Sequence, residues 1–254
     1  MTKTVVVTGA GTGIGAGVAL RFAQAGWNVA GGIYEAAQGA AFEAIAQAAE
    51  ATGAQAIAAT ADVTRDGDCR QLAEKAIQQF GRLDALVNAA GITRMVPLAD
   101  LDGLTPEMFQ DIYAVNTIGP FLMSRACAPH LKRSGDAAIV NVSSLAAISG
   151  GGSSIAYAAS KGALNTLTLS LARVLAPEVR VNAICPALIT DGFVQRLDPN
   201  LFEQRRQGQI ARAPLRRIGA PADVAETIFW LVTAAPLVTG ETLTLDCGLH
   251  LNAD

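Results

Sequence analysis

The chain has 254 residues, of which 51% are hydrophobic, 16% charged and 5% aromatic, with 25 glycines and a net charge of -3. That is enough chain to bury a large core and too apolar a mixture for disorder, and the shortage of aromatics suits small-residue helices packed closely on a buried sheet. Basic residues are dispersed, which excludes the electrostatic footprint of a nucleic-acid binder.

The cysteines Cys69, Cys127, Cys185 and Cys247 lie far apart and form no CxxC or Cys/His group, and only two histidines, His130 and His250, are present. Metal sites and histidine triads are not expected, so the catalytic groups must be of other types. No apolar run approaches the roughly 18 to 20 residues of a membrane span, and "MTKTVVVTGAG" enters a strand too early for a signal peptide. The reading is a soluble, cytoplasmic protein with reduced thiols and no membrane or nucleic-acid partner.

In chain order, "TVVVT" predicts the first strand, followed by clustered glycines and a helix over 13–25. "NVAGGI" predicts the second strand and then a helix over 36–52; "AIAAT" the third and then a helix over 66–80. "LDALVN" predicts the fourth, followed by one long helix over 106–133. "AAIVNVS", "RVNAIC" and "TLTLD" complete seven strands, with helices over 155–176 and 222–233. These runs are continuously apolar rather than alternating, the pattern of parallel strands covered on both faces, and the helices between them make right-handed crossovers. The expected fold is one α/β domain over 1–254, a doubly wound, single parallel seven-stranded sheet with helices on both faces. Residues 188–218, "LITDGFVQRLDPNLFEQRRQGQIARAPLRRI", are charged and punctuated by proline, and read as an irregular substrate lid.

Between the first strand and the first helix stand Gly9, Gly13 and Gly15, where missing side chains let the backbone approach a pyrophosphate at a helix N-terminus. Turn geometry and close helix packing are the rival explanation, but the order strand, glycines, helix favours a nucleotide and hence the Rossmann form of the doubly wound fold. Further on, "YAASK" sets Tyr157 and Lys161 four apart in a helix with almost no other charge, one turn apart on one face. Taken alone, such a pair reads first as a surface or packing feature.

"TGAGTGIG", with its GxxxGxG spacing, resembles the glycine motif of the short-chain dehydrogenase/reductase family. The likeness runs from Thr4 to Gly248, through "NAAGI", through Ser144 thirteen residues ahead of Tyr157, and through "RIGAPADVAETIFWL" and "VTGETLTLDCG". It implies a nicotinamide-dependent oxidoreductase that interconverts an alcohol and a ketone or aldehyde, with Asn116, Ser144, Tyr157 and Lys161 as its catalytic set. In this likeness Lys161 holds the nicotinamide ribose and Asn116 anchors a water that passes protons to solvent. Ser143 is the rival to Ser144, since adjacent strand residues point to opposite faces.

The resemblance also implies the cofactor contacts. Gly9, Thr12, Gly13, Ile14 and Gly15 would meet the pyrophosphate, and Tyr34, Asp62 and Val63 the adenosine. Asn88, Ala89 and Gly91 would form the turn after the fourth strand, with Asn88 tying neighbouring strands. Tyr157, Lys161, Pro186 and Ile189 would meet the nicotinamide end. Asp62 has a second open role as a helix N-cap. Ile33 stands where the family's ribose-reading acid usually sits, and Thr12 where NADP-preferring relatives often carry a base. With no cation there for a 2'-phosphate and Glu35 within reach of a ribose hydroxyl, NAD is favoured over NADP, although Tyr34 and Glu35 also read as a solvated loop.

The family pattern is broken at four places: Ala89 replaces an asparagine, Ala187 and Cys247 replace glycines, and Asp191 falls where a hydroxyl is usual, with Thr190 one place early. Cys247 is expected to be a packed, inert thiol.

A free phenol titrates near 10, so proton exchange at neutral pH calls for a shift of about three units, or about 4 kcal/mol. An ammonium at about 4 Å, in an effective dielectric near 20, supplies about that much. Ser144 and Tyr157 would both donate to a substrate oxygen with alkoxide character. Leu145, Ile148 and Ile155 hint at an apolar pocket lining or at core. Two other functions remain open: a 3-oxoacyl-(acyl-carrier-protein) reductase, for which "NAAGITR" with Arg94 speaks, and a catalytically idle dinucleotide-binding scaffold. By resemblance the assembly is a homotetramer built on the two long helices.

Overall fold

Alternate residues of "TVVVT" point to opposite faces, and both faces are apolar, so this segment is stable only as a strand sandwiched between helix layers. The computed structural model describes residues 1–35 and 39–251, with side chains from 42 onward in the second stretch. Its strands are β1 (Thr4–Thr8), β2 (Asn28–Ile33), β3 (Ala56–Thr60), β4 (Ala85–Asn88), β5 (Ala137–Val142), β6 (Val179–Pro186) and β7 (Thr242–Leu245). They form one sheet in the order β3-β2-β1-β4-β5-β6-β7, and every pairing is parallel. Val5 pairs with Val29 on one side and Ala85 on the other.

The helices are α1 (Gly13–Gln24), α2 (Gly39–Ala51), α3 (Asp66–Phe80), α4 (Pro106–Tyr113), α5 (Gly119–Ser134), α6 (Ala146–Ser149), α7 (Ile155–Leu175), α8 (Phe193–Leu197), α9 (Pro199–Arg212) and α10 (Pro221–Thr233). On one face Val5, Val7 and Val29 pack with Phe22 of α1 and Ile228 of α10. On the other, Val6, Leu86 and Ile139 pack with Leu72 of α3, Met123 of α5 and Leu171 of α7. Each face thus has its own core, as the sequence pattern requires. No helix among the described residues is long and apolar enough to cross a membrane.

The helix expected over 36–52 is described from Gly39 to Ala51, and residues 36–38 lie outside the described residues. Three departures from the sequence reading have physical causes. β3 and β7 are only partly covered, because they are the two edges of the sheet. The helix expected over 106–133 is interrupted by one wide π turn, Ala114–Ile118. Pro120 has no N–H to give the carbonyl four residues earlier, at Asn116, and its ring crowds that carbonyl, so the ladder widens there.

The third departure is the segment 188–218, expected as an irregular lid, which is not irregular: it carries α8 and α9. Pro199 sits in the first turn of α9, where a missing N–H costs nothing, and Asp198 caps that helix by accepting from the Leu201 N–H at 2.9 Å. The proline that read as a breaker is a helix start.

Candidate active site

In a doubly wound sheet a crevice opens at the C-terminal strand ends where successive connections part to opposite faces. Here that point lies between β1, whose helix α1 covers one face, and β4, whose helix α5 covers the other. A cleft of about 1450 Å³ occupies it, lined from the glycine turn after β1 to the segment after β6.

The glycine turn is shaped for close approach. Gly9 and Gly13 have φ of 67° and 53°, conformations that side chains resist. A Cβ on Gly15 would lie 2.1 Å from the Gly9 carbonyl oxygen, so nothing larger than glycine fits. Thr12, the N-cap of α1, makes no side-chain cap, and no acid stands in the first turn, leaving the positive end of the helix directed at the cleft. Thr12, Gly13, Ile14 and Gly15 all line it. The Thr8 hydroxyl accepts from the Ala89 and Ala90 N–H groups at 3.1 Å each, which seats the "NAAG" turn against β1.

Tyr34 and Glu35 line the far end of the cleft and are exposed, while Ile33 is buried and lies outside it. Asp62 does not cap α3, whose N-cap is Arg65; its carboxylate accepts from the Thr64 N–H and hydroxyl at 3.0 and 2.7 Å, holding the loop that forms this wall. Val63 is buried against Gly119 and also borders the cleft. The cations that line the cleft are Lys161, Arg94, Arg196, Arg205 and Arg212, none from the loops after β2 or β3.

At the opposite end, Ser154 caps α7 by accepting from the Tyr157 N–H at 3.2 Å, which sets Tyr157 in the first turn and Lys161 one turn later. The two serines after β5 are now distinguished. Ser143 is buried and donates to the Lys161 carbonyl at 3.2 Å, whereas Ser144 is half-buried in the cleft and hydrogen-bonds the Tyr157 phenol. Burial pushes the Tyr157 phenol above its ordinary 10, with the Ser144 bond opposing. Burial also pulls the Lys161 ammonium down to about 8.

The expected depression of the phenol by Lys161 is therefore absent. The Lys161 Nζ donates to the Val142 carbonyl at 2.8 Å and sits 5.8 Å from the centre of the Tyr157 ring, so its charge is directed at a backbone dipole rather than at the hydroxyl.

Two expected site residues lie beneath the cleft. Asn88 donates to Asn141 Oδ1 at 2.8 Å, and Asn141 donates to the Thr168 hydroxyl at 2.9 Å, a buried chain tying β4, β5 and α7. It offers structure rather than a cofactor contact. Asn116, in the π turn, accepts from the Ile92 N–H at 2.9 Å and donates to the Ile92 carbonyl at 3.0 Å and Ser160 Oγ at 3.1 Å. Both of its amide hydrogens are committed to protein acceptors. It clamps the loop beyond Gly91, and Gly91 packs close to both Asn116 Oδ1 and Lys161 Nζ.

Pro186 and Ile189 border the cleft, but Thr190 does not; its N–H donates to the Gly219 carbonyl at 3.0 Å. Asp191 is exposed with φ of 54°. Of the expected apolar lining only Leu145 faces the cleft, since Ile148 and Ile155 point to solvent. Cys247 is half-buried with φ of 58°, in the left-handed region that a glycine there would satisfy, and so is not the packed thiol expected. Sequence reasoning missed Phe193, Arg196 and Arg205 of α8 and α9, which line the cleft; the available signal was "GFVQRL", a short helical pattern after a glycine.

A family profile described as enoyl-(acyl carrier protein) reductase matches residues 9–250. A protein of Streptomyces violaceoruber, assigned as ketoacyl reductase 2 of the granaticin polyketide synthase, is 41% identical over 251 residues, covering 97% of this chain and 95% of that one. A 3-oxoacyl-(acyl-carrier-protein) reductase of Staphylococcus aureus is 33% identical over 257 residues, covering 99% of each. A crystal structure from Burkholderia xenovorans, assigned as a short-chain dehydrogenase/reductase, superposes with a TM-score of 0.91 at 43% identity over 99% of both chains. With a family profile over nearly the whole chain and whole-length relatives above 30% identity, the chain belongs to the short-chain dehydrogenase/reductase family of NAD(P)-dependent oxidoreductases.

Proposed function

We propose that the protein interconverts an alcohol and a ketone or aldehyde, with Tyr157 exchanging the proton. The observation that carries this reading is the Tyr157 phenol in the cleft, bonded to Ser144, one helical turn from a buried lysine. The cleft fits a dinucleotide, because the glycine turn and an α1 N-terminus with no first-turn acid and no side-chain cap both line it. Gly9, Thr12, Gly13, Ile14 and Gly15 would hold the pyrophosphate, Tyr34, Asp62 and Val63 the adenosine, and Ala89, Gly91, Pro186 and Ile189 the nicotinamide half. When bound, the nicotinamide ring supplies or takes up the hydride.

The protein's own groups handle the oxygen and its proton. Ser144 and Tyr157 donate hydrogen bonds to the substrate oxygen as it gains negative charge, from fixed positions that need no rearrangement during reaction. Tyr157 gives its proton in the reducing direction and takes one in the other. Its phenolate is costly in this buried setting, and the Ser144 hydroxyl offsets part of that cost. Asn116 acts at one remove by holding the Gly91–Ile92 loop against the π turn. The segment 188–218, with α8 and α9, forms the lid over the substrate.

NAD is the preferred cofactor: the β2 end presents Tyr34 and Glu35 to the cleft, and none of the cations lining it comes from there. Parallel titration with NADH and NADPH tests this, followed by a panel of ketones and alcohols with the better nucleotide. The expected result is at least tenfold tighter binding of NADH; a tenfold preference for NADPH overturns the assignment.

A 3-oxoacyl reductase is the second reading. Two of the relatives above carry ketoacyl or oxoacyl reductase names, and Arg94, Arg205 and Arg212 border the cleft, a basic lining that suits an anionic acyl carrier. The assembly proposed is a homotetramer through α5 and α7, whose outer positions Phe121, Leu169 and Val174 are exposed and apolar.

A further inference from the structure

Arg196, on the short lid helix α8, lies against the glycine turn. A Cβ built on Gly13 would be 3.3 Å from Arg196 Nη1 and 3.1 Å from the Asp191 carbonyl oxygen. The same Nη1 donates to that carbonyl at 2.6 Å, and the guanidinium carbon stands 5.5 Å from the centre of the Phe193 ring. Among the described residues no carboxylate pairs with Arg196, and its remaining N–H donors have no protein acceptor. It faces the N-terminus of α1, a helix of 12 residues whose first turn contains no acid and whose N-cap side chain makes no bond. A guanidinium and the positive end of a helix repel one another unless an anion lies between them. A planar fork of N–H donors on one side and backbone N–H groups on the other match the oxygens of a phosphate diester pair.

We infer that Arg196 clamps the dinucleotide pyrophosphate from the lid side, opposite the α1 N-terminus. The inference rests on the cleft binding a nicotinamide dinucleotide, and it is indifferent to NAD or NADP because both carry the pyrophosphate. Its position couples binding to the lid. Asp191, with φ of 54°, and Gly192 form the bend from which α8 departs. Phe193, on the same turn, packs over Gly91, beside Lys161 Nζ. An anion held by Arg196 therefore also fixes the segment that carries Phe193 across the nicotinamide end.

The test is calorimetric binding of NADH, ADP-ribose and adenosine to the full chain and to Arg196→Gln and Arg196→Lys, with thermal melts of the free proteins as a folding check. In the glutamine variant Kd should rise about tenfold for NADH and for ADP-ribose alike, as befits the loss of a charge-assisted bond to phosphate, with adenosine affinity unchanged. The lysine variant should lie between, keeping the charge but losing the fork. The salt dependence of NADH affinity should flatten in Arg196→Gln. Unchanged affinities assign Arg196 only to the Asp191 carbonyl and overturn the clamp. Tighter binding means that the guanidinium obstructs the cleft, which also overturns it. A loss confined to NADH assigns the residue to lid closure over nicotinamide instead. Failure of the parent chain to bind either nucleotide overturns the cofactor reading of the cleft and this inference with it.

Discussion

Burial sets the behaviour of the Tyr157 and Lys161 pair. Lys161 titrates at about 8 rather than 10.5 because its ammonium is taken out of water, where it donates to the Val142 carbonyl. The sign of the linked stability follows. Below about 8 the lysine is protonated in both folded and unfolded chains, and the full desolvation cost is borne by the fold; between about 8 and 10.5 the unfolded chain binds the extra proton, so stability rises with pH. A Lys161→Met variant lacks this dependence. The melting temperature of the parent minus that of the variant should be level below pH 8 and should climb up to about pH 10.5. A difference that stays level through the window would contradict the burial of a titrating ammonium. In the sequence the pair was visible as "YAASK", and Ser144 by its spacing. The direction of the Lys161 Nζ was not, because it depends on where the Val142 carbonyl ends, across the β5 to α7 packing. Arg196 was hidden for a related reason: its position depends on a left-handed bend at Asp191, which nothing in that residue's type announces.

Among the elements, the π turn at Ala114–Ile118 exerts the most influence on the site. It places Asn116 against both backbone groups of Ile92 and the Ser160 hydroxyl. Asn116→Ala leaves the part-buried Ile92 N–H and C=O without partners, and at about 1 to 3 kcal/mol for each unpaired group the expected loss is about 2 to 6 kcal/mol in urea unfolding. Asn116→Asp keeps the acceptor and loses the donors, so it should fall between. An alanine variant as stable as the parent would remove the clamp from the account. Helix α1 and strands β1 and β2 were legible to within a residue, since glycines, apolar runs and turns coincide there. The π turn was overlooked although Pro120 stood in plain sight, because the amphipathic pattern continues through it. The lid helices were overlooked because Pro199 and Asp198, a helix start and its cap, have the composition of a loop.

At the scale of the molecule, seven apolar runs separated by helical patterns were enough to specify a doubly wound sheet, because each run needs cover on both faces and right-handed crossovers leave few arrangements. What the runs do not carry is which strands become edges; only packing leaves β3 and β7 partly open. Apolar side chains exposed on α5 and α7 are the counterpart of that problem on the outer surface. The tetramer proposed through them should give a light-scattering mass near four times 26.1 kDa, and a mass near one subunit would remove the assembly. The central claim joins this architecture to one hydroxyl at the end of the sheet. Its most direct test is Tyr157→Phe, with nucleotide affinity and steady-state turnover measured side by side on a ketone that the parent reduces. The account expects NADH affinity close to the parent's and turnover lower by about 10² to 10⁴-fold, the range for loss of a general acid; a phenylalanine variant that turns over at the parent's rate would contradict it.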